Sequence, residues 1–313
     1  MAGHVLFVTN KGEDTLSKVD LATGEEVRRV ESCRTPHELA VSPDGEFVAV
    51  GCYGGTSIDI FHTKDLTLFR SIELGADARP HGIVWHSNGD IYATAEGRQS
   101  LYRVMQPNGE PEVREFGTND RGSHMLAVAP DGQTAWTADM VAGSVTRVDL
   151  VGGADPFSAQ MGDEPEGIAL SPDGATLWVS ARGSNEVFAV DPGTLKVQKR
   201  VEVGRFPLRL AIRPQGDVAI TSNLQDGGLS VIDLESGRLL RSVPIGGSSQ
   251  AEQRFQVTII WSEDGNRIYA AETGSNTVAE VDYASGNVLR RFAVGEDGDG
   301  LAILAPEAGR NGS

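Results

Sequence analysis

The sequence predicts an all-β fold, a seven-bladed β-propeller whose last blade is shared by the N- and C-terminal segments. Three observations predict it: a turn phrase that recurs at a nearly fixed period, four short apolar runs within each period, and two chain ends that carry complementary parts of one blade.

The turn phrase reads SPDG at Ser42–Gly45, HSNG at His86–Gly89, APDG at Ala129–Gly132, SPDG at Ser171–Gly174, RPQG at Arg213–Gly216 and SEDG at Ser262–Gly265. Its glycines lie 44, 43, 42, 42 and 49 residues apart. Asp, Asn and Gly at these places supply local side-chain capping and positive φ, so each phrase is read as a hairpin turn. Before it stands a run such as HELAVS, HGIVWH or EGIALS, and after it a run such as FVAVG, IYATA or TLWVS; these are strands A and B. Strand C is SIDIF, SLYRV or EVFAV, and a turn of the form Asp-x-x-x-Gly, as in IDLESG and VDYASG, leads to strand D.

The N-terminus supplies HVLFVTN, TLSKVD and EVRRVE, which are strands B, C and D without an A. The segment Asp299–Glu307, DGLAILAPE, matches the missing A and closes the ring, hiding the sheet edges. A sandwich lacks a fixed period and a β-helix repeat is shorter. Residues 1–307 therefore form a single propeller, followed by a polar tail, 308–313.

A formal net charge of −17 and a pI near 4.7, with basic residues scattered, exclude nucleic acid and anionic membranes as partners. No run approaches 18 apolar residues, and MAGHVLFVTN passes straight into a strand pattern without a basic leader. The expectation is a soluble protein, cytoplasmic as the chain stands, or periplasmic or secreted if a signal peptide has been removed. Cys33 and Cys52 are too few for a disulfide scaffold and match no zinc motif; both can reach the mouth, where ordinary loop thiols are favoured over a Cys–His nucleophile, and whether the two pair is left open.

The runs LFVTNKGEDTLSKVDLATGE (Leu6–Glu25), LWVSARGSNEVFAVDPGT (Leu177–Thr194) and IYAAETGSNTVAEVDYASG (Ile268–Gly286) resemble the YVTN repeat of YncE-like seven-bladed propellers. The resemblance covers nearly the whole chain. It implies the fold and a wide choice of functions: related propellers include lactone-cleaving enzymes, virginiamycin B lyase-like enzymes, electron-transfer partners and surface proteins without catalysis.

In such a ring the A strands line the channel, so the residue opening each A strand faces a common axis. Those residues are His37, His81, His124, Glu166, Leu208, Gln256 and Asp299. Three of the six histidines share this register in neighbouring blades. With Glu166 they form a candidate catalytic centre and a candidate metal set for Fe, Mn, Cu or Zn. The set is similar to the propeller of carotenoid oxygenases, whose iron is held by four histidines; here Glu166 stands at the fourth position. Without metal, imidazoles at this place suit general acid or base work.

Arg34, Arg79, Arg121, Arg205 and Arg254 precede the A strands and are expected to hold a carboxylate or phosphate at the mouth. The loops from strand B to strand C add Asn10, Tyr53, Glu96, Asp139, Arg182, Asn223 and Glu272, of which Glu96, Asp139, Arg182 and Glu272 join Gln256 and Asp299 as candidate substrate contacts. The insertion Gly246–Phe255, GGSSQAEQRF, is read as a lid or a length-tolerant loop.

No Gly-x-Ser-x-Gly elbow, His-Glu-x-x-His or phosphate-binding glycine motif is present. The expected function is binding of a small polar, anionic or lactone-like molecule at the channel mouth by an enzyme of hydrolase or lyase type. The alternative is a noncatalytic ligand binder or protein-interaction scaffold.

Overall fold

A computed structural model describes residues 3–306. It contains seven four-stranded antiparallel sheets. We number the blades I to VII along the chain and letter the strands A to D from the axis outward. The A strands are Gly298–Leu304 (I), Pro36–Val41 (II), Pro80–Trp85 (III), Ser123–Val128 (IV), Pro165–Leu170 (V), Pro207–Ile212 (VI) and Gln256–Trp261 (VII). Each touches the A strands of both neighbouring blades, which closes the ring.

Blade I is assembled from both ends: Gly298–Leu304 pairs antiparallel with Val5–Asn10, Val5 opposite Leu304 and Phe7 opposite Ala302. Glu307 of the expected A run and the tail 308–313 lie outside the described residues.

The turn glycines take the predicted conformation, with φ of 74° at Gly45, 91° at Gly89, 67° at Gly132, 71° at Gly174, 73° at Gly216 and 65° at Gly265. The core lies between blades. Phe47, Ile58 and Ile60 of blade II pack on Trp85, Ile91 and Tyr102 of blade III, and Trp178 and Val187 of blade V pack on Leu210 and Ile232 of blade VI. Strand D is the outer edge and reads accordingly: EVRRVE in blade I has no fully buried residue.

One recurring device aims the inner strands. In every blade the pairing of strand A with strand B breaks register just after the first residue of strand A, as between Pro36 and Leu39 or Pro80 and Ile83. This bulge releases the second residue from the ladder and turns its side chain toward the axis. A hydroxyl in strand B locks it. Thr94 Oγ1 accepts the Gly82 N–H at 2.9 Å and donates to the His124 carbonyl at 2.5 Å, so blade III holds the site residue of blade IV. Thr9 does the same with the Gly300 N–H and the His37 carbonyl. Ser222 accepts the Arg209 N–H at 3.1 Å and donates to Val257 at 2.6 Å. The neighbouring strand approaches so closely that a Cβ on Gly300 would stand 2.2 Å from the His37 carbonyl oxygen.

Cys33 and Cys52 form a disulfide with their Cα atoms 5.6 Å apart. The sequence left their pairing open, and the fold explains it: Cys33 lies on the link from blade I to blade II, and the B strand of blade II, Phe47–Cys52, ends beside it. The bond spans 19 residues of sequence. Closing a loop of that size stabilises by about 3 kcal/mol. A Cys33→Ser, Cys52→Ser double variant is expected to lose about that much in a urea titration, and the native chain is expected to show no reactive thiol until reduced.

Candidate functional site

The second residues of the A strands are Asp299, His37, His81, His124, Glu166, Leu208 and Val257 in blades I to VII. At the mouth all of them but Asp299 line a cavity of about 390 Å³, together with Lys11, Arg182, Arg209 and further apolar residues.

The three histidines form one stack. Ring centroids of His37 and His81 are 4.0 Å apart, and those of His81 and His124 are 3.6 Å apart. Each end of the stack meets carboxylates. His37 Nδ1 lies 2.9 Å from Asp299 Oδ2, which Lys11 Nζ also approaches at 3.2 Å. His124 Nδ1 bonds Glu96, and its Nε2 lies 3.4 Å from Glu166 Oε1. Glu96 accepts from Tyr53 at 2.7 Å, and Arg79 donates to the Tyr53 oxygen while its guanidinium sits 4.4 Å from the ring centre. On the far side Arg209, 5% exposed, joins Glu166 to Glu38, with 2.8 Å between Arg209 Nη2 and Glu38 Oε1. Arg182 donates to Glu166 at 2.7 Å.

Charge states follow from this packing. Burial holds His81 well below the usual histidine range, and the nearby His124, His37, Arg209 and Lys11 reinforce it. Its Nδ1 is buried without a hydrogen-bond partner. Burial also opposes a charge on His124, but Glu166 and Glu96 outweigh it and raise its pKa. Against the same opposing burial, His124, Arg209 and Arg182 bring Glu166 down to about 2. Asp299 is likewise depressed, burial being outweighed by His37, Lys11 and Arg209. Tyr53 is pushed up to about 12 by burial and by Glu96. The stack therefore sets an imidazole held toward its neutral form against one held toward its charged form, both lining the cavity.

Of the residues named from sequence, His37, His81, His124, Glu166 and Arg182 line this cavity. Asp299 stands directly behind His37, and Glu96 behind His124. Others go elsewhere. Gln256 is the first residue of its A strand, paired opposite Glu272 as Pro36 is opposite Cys52, so Val257 takes the position equivalent to His37. Asp139 and Glu272 are the last residues of B strands Thr134–Asp139 and Arg267–Glu272 and are fully buried inside their own blades. Asp139 accepts from Ser123 at 2.8 Å and Thr137 at 2.9 Å, and Glu272 accepts from Arg254, Arg291 and Thr277. Asn10 and Asn223 occupy the same strand-end position and bond Ser17 and Ser230. The mouth position is one residue later, at Lys11, Tyr53, Glu96, Arg182 and Leu224. A one-residue slip reverses which way a strand residue points.

The arginine ring does not converge. Arg34 donates to the Gly54 carbonyl, Arg205 pairs with Asp226 at 2.8 Å, Arg254 pairs with Glu272 at 3.1 Å, and Arg121 is exposed. Of the five only Arg79 joins the network, through Tyr53. The residue just before strand A is held at positive φ in blade after blade, including Thr35, Arg79, Glu164, Phe206 and Phe255, and this backbone turn throws the preceding arginines outward. The cations that do reach the cavity are Lys11, Arg182 and Arg209. Arg209 carried a signal in the sequence: it interrupts the apolar inner strand LRLAI where sister strands have glycine at Gly82, Gly167 and Gly300.

The insertion Gly246–Phe255 folds as two short turns, Ser248–Gln250 and Ala251–Arg254, and Arg254 ties it to Glu272. It is a fixed part of the rim and presents Phe255 to the cavity. Donor atoms of His81, Glu96 and His124 lie within 4.8 Å of one another, the grouping that could close on a metal ion once His124 gives up its proton. Glu166, expected in that set, is held by two arginines.

A family model described as "Lactonase, 7-bladed beta-propeller" matches residues 134–244. Among curated proteins none matches the sequence. Solved structures with the same fold include hydrazine synthase of Kuenenia stuttgartiensis, 21% identical with a TM-score of 0.76 over 90% of this chain and 92% of that one. Virginiamycin B lyase of Staphylococcus aureus is 17% identical, with a TM-score of 0.71 over 85% and 87%. A putative 6-phosphogluconolactonase of Bacteroides fragilis is 16% identical, with a TM-score of 0.76 over 97% and 98%. At these identities the likeness concerns the fold. The chain is a seven-bladed β-propeller, similar in repeat and architecture to the lactonase and virginiamycin B lyase propellers.

Proposed function

We propose that the channel mouth binds a small anionic or lactone-like molecule and cleaves it by hydrolase- or lyase-type acid–base chemistry. The observation that carries this reading is the stack of His37, His81 and His124, opening on a cavity that also receives Lys11 and Arg182. In ester opening, His81 accepts a proton from water as its oxygen adds to the carbonyl. The ring C–O bond then breaks, and His81 returns the proton to the leaving alkoxide. Lys11 and Arg182, 25% and 21% exposed, offset the charge that develops on the carbonyl oxygen. For a lyase the same base removes a carbon-bound proton and a carboxylate leaves. A histidine-to-alanine variant of the virginiamycin B lyase is catalytically inactive, which supports a histidine-centred reading on this fold. The disulfide favours an oxidising compartment, and none of the described helices is long and apolar enough to cross a membrane.

The test is turnover of a panel of γ- and δ-lactones and a cyclic depsipeptide ester, followed by pH-stat and absorbance. His81→Gln is expected to lower kcat by about 10²- to 10⁴-fold with an unchanged unfolding curve. Wild-type turnover in that variant would overturn the assignment of His81. Binding without turnover of any substrate would favour the noncatalytic ligand binder. Metal analysis of the same preparation completes it: a stoichiometric divalent transition metal lost in His124→Ala would replace the proton-transfer role by Lewis-acid chemistry on His81, Glu96 and His124.

A further inference from the structure

The cavity has two unlike halves. Blades I to V contribute Lys11, His37, His81, His124, Glu166 and Arg182, whereas blades VI and VII contribute Phe206, Leu208, Leu224, Phe255 and Val257 besides Arg209, whose guanidinium is taken up by Glu38 and Glu166. The apolar half is built at three register positions. At the second residue of strand A, where five blades carry Asp, His or Glu, these two carry Leu208 and Val257. At the positive-φ residue before strand A, where the other blades have Asp297, Thr35, Arg79, Gly122 and Glu164, these two have Phe206 and Phe255. After strand B, where Lys11, Tyr53, Glu96 and Arg182 stand in blades I, II, III and V, blade VI has Leu224; Met140 and Thr273 hold this position in blades IV and VII and do not line the cavity.

A bulky aromatic residue at positive φ is uncommon. Here φ is 58° at Phe206 and 48° at Phe255, and Phe255 is 43% exposed. The insertion Gly246–Phe255 adds two turns pinned by Arg254, and what it brings to the mouth is that ring. Leu224 and Phe255 also border a second hollow of about 460 Å³ on the rim, whose other lining is Arg205, Gln225, Ser248, Ala251 and Glu252. The apolar wall therefore ends at Leu224 and Phe255, and the rim beyond it is polar.

We infer that the ligand is an amphiphilic monoanion: a carboxylate, or a lactone that yields one, carrying an aryl or medium-length alkyl group. Its oxygens face Lys11, Arg182 and the imidazole of His124, and its apolar group lies against Phe206, Leu208, Leu224 and Val257 with Phe255 beside it. The inference rests on the small-molecule reading above and narrows its substrate class. Sugar lactones and small hydroxy acids, which are polar all round, would leave the apolar wall in contact with bound water.

Calorimetric titration with matched probes tests it. 4-Phenylbutyrate is expected to bind at least ten-fold more tightly than butyrate, and 4-phenylbutylamine is expected not to bind. A Phe206→Ala, Phe255→Ala double variant, altered only at partly exposed rings, is expected to bind both acids alike and to unfold at the wild-type midpoint. Equal affinity of the wild type for butyrate and 4-phenylbutyrate, or binding of the amine as tight as that of the acid, would overturn the amphiphile and leave the anion site standing. Failure of both acids to bind would overturn the anion site itself.

Discussion

Arg209→Met is expected to destabilise the protein by about 3–5 kcal/mol, because it removes the cation between two buried carboxylates and leaves one of them, Glu38, uncompensated. Arg209 lies on the inner strand of blade VI and reaches Glu38 of blade II and Glu166 of blade V, all less than 10% exposed. Burial alone would favour a neutral guanidine, yet Glu38, Glu166 and Asp299 raise the Arg209 pKa further above its already high value. Glu166 keeps Arg182 and His124 as partners, so Glu38 is left the more exposed to the loss. Adding Glu38→Gln to Arg209→Met should therefore recover part of the stability, since it removes the orphaned charge. Urea titration at pH 7 measures both. A midpoint unchanged in Arg209→Met would show that the bridge across the axis contributes nothing to folding.

Asp139→Asn is expected to stabilise the protein at pH 8 and to have little effect at pH 4.5. Burial pushes the Asp139 carboxyl up to about 7, against the opposing hydrogen bonds from Thr146, Ser123 and Thr137. The folded chain thus holds a proton that the unfolded chain releases near pH 4. Stability from this group is present at low pH and is lost as pH rises from about 4 to about 7, on the order of 3–4 kcal/mol in all. Glu166 acts in the opposite sense, its stabilisation being lost as pH falls from about 4.5 toward 2. The Asn substitution is well precedented inside the molecule. Asn10 and Asn223 fill the same strand-end position in blades I and VI and bond a serine of strand C there, as Asp139 bonds Thr146. Denaturant midpoints of wild type and variant at pH 4.5, 6 and 8 should diverge with rising pH. A difference independent of pH would place the proton elsewhere.

Much of the architecture was readable along the chain because a propeller blade is a local object. The turn phrases, the alternating runs and the positive-φ glycines are all set within about 40 residues, and each blade obeys the same pattern. The split blade could be read too, since strands B to D at one end and strand A at the other leave a single way to complete the count. The same repeat placed His37, His81, His124 and Glu166 on one ring.

Where the repeat was aligned one residue out, the reading failed. Gln256 was put in the place that Val257 holds, and Asp139 and Glu272 were put at the mouth although they stand one residue before it; period-2 strands convert such a slip into the wrong side of the sheet. The pairing of Cys33 with Cys52 stayed undecided for another reason: it depends on how the link between two blades passes the end of a strand.

By itself, then, the sequence determined the number of blades, their closure and which inner strands carry histidines, because these follow from local hydrogen bonding and a fixed period. Only the tertiary structure decided that Arg209 bridges Glu38 across 171 residues of sequence, that the arginines before the A strands turn outward, and that Phe206 and Phe255 face the histidine stack. Those are relations between blades on opposite sides of an axis. They are set by the curvature of the closed ring, which no single repeat encodes.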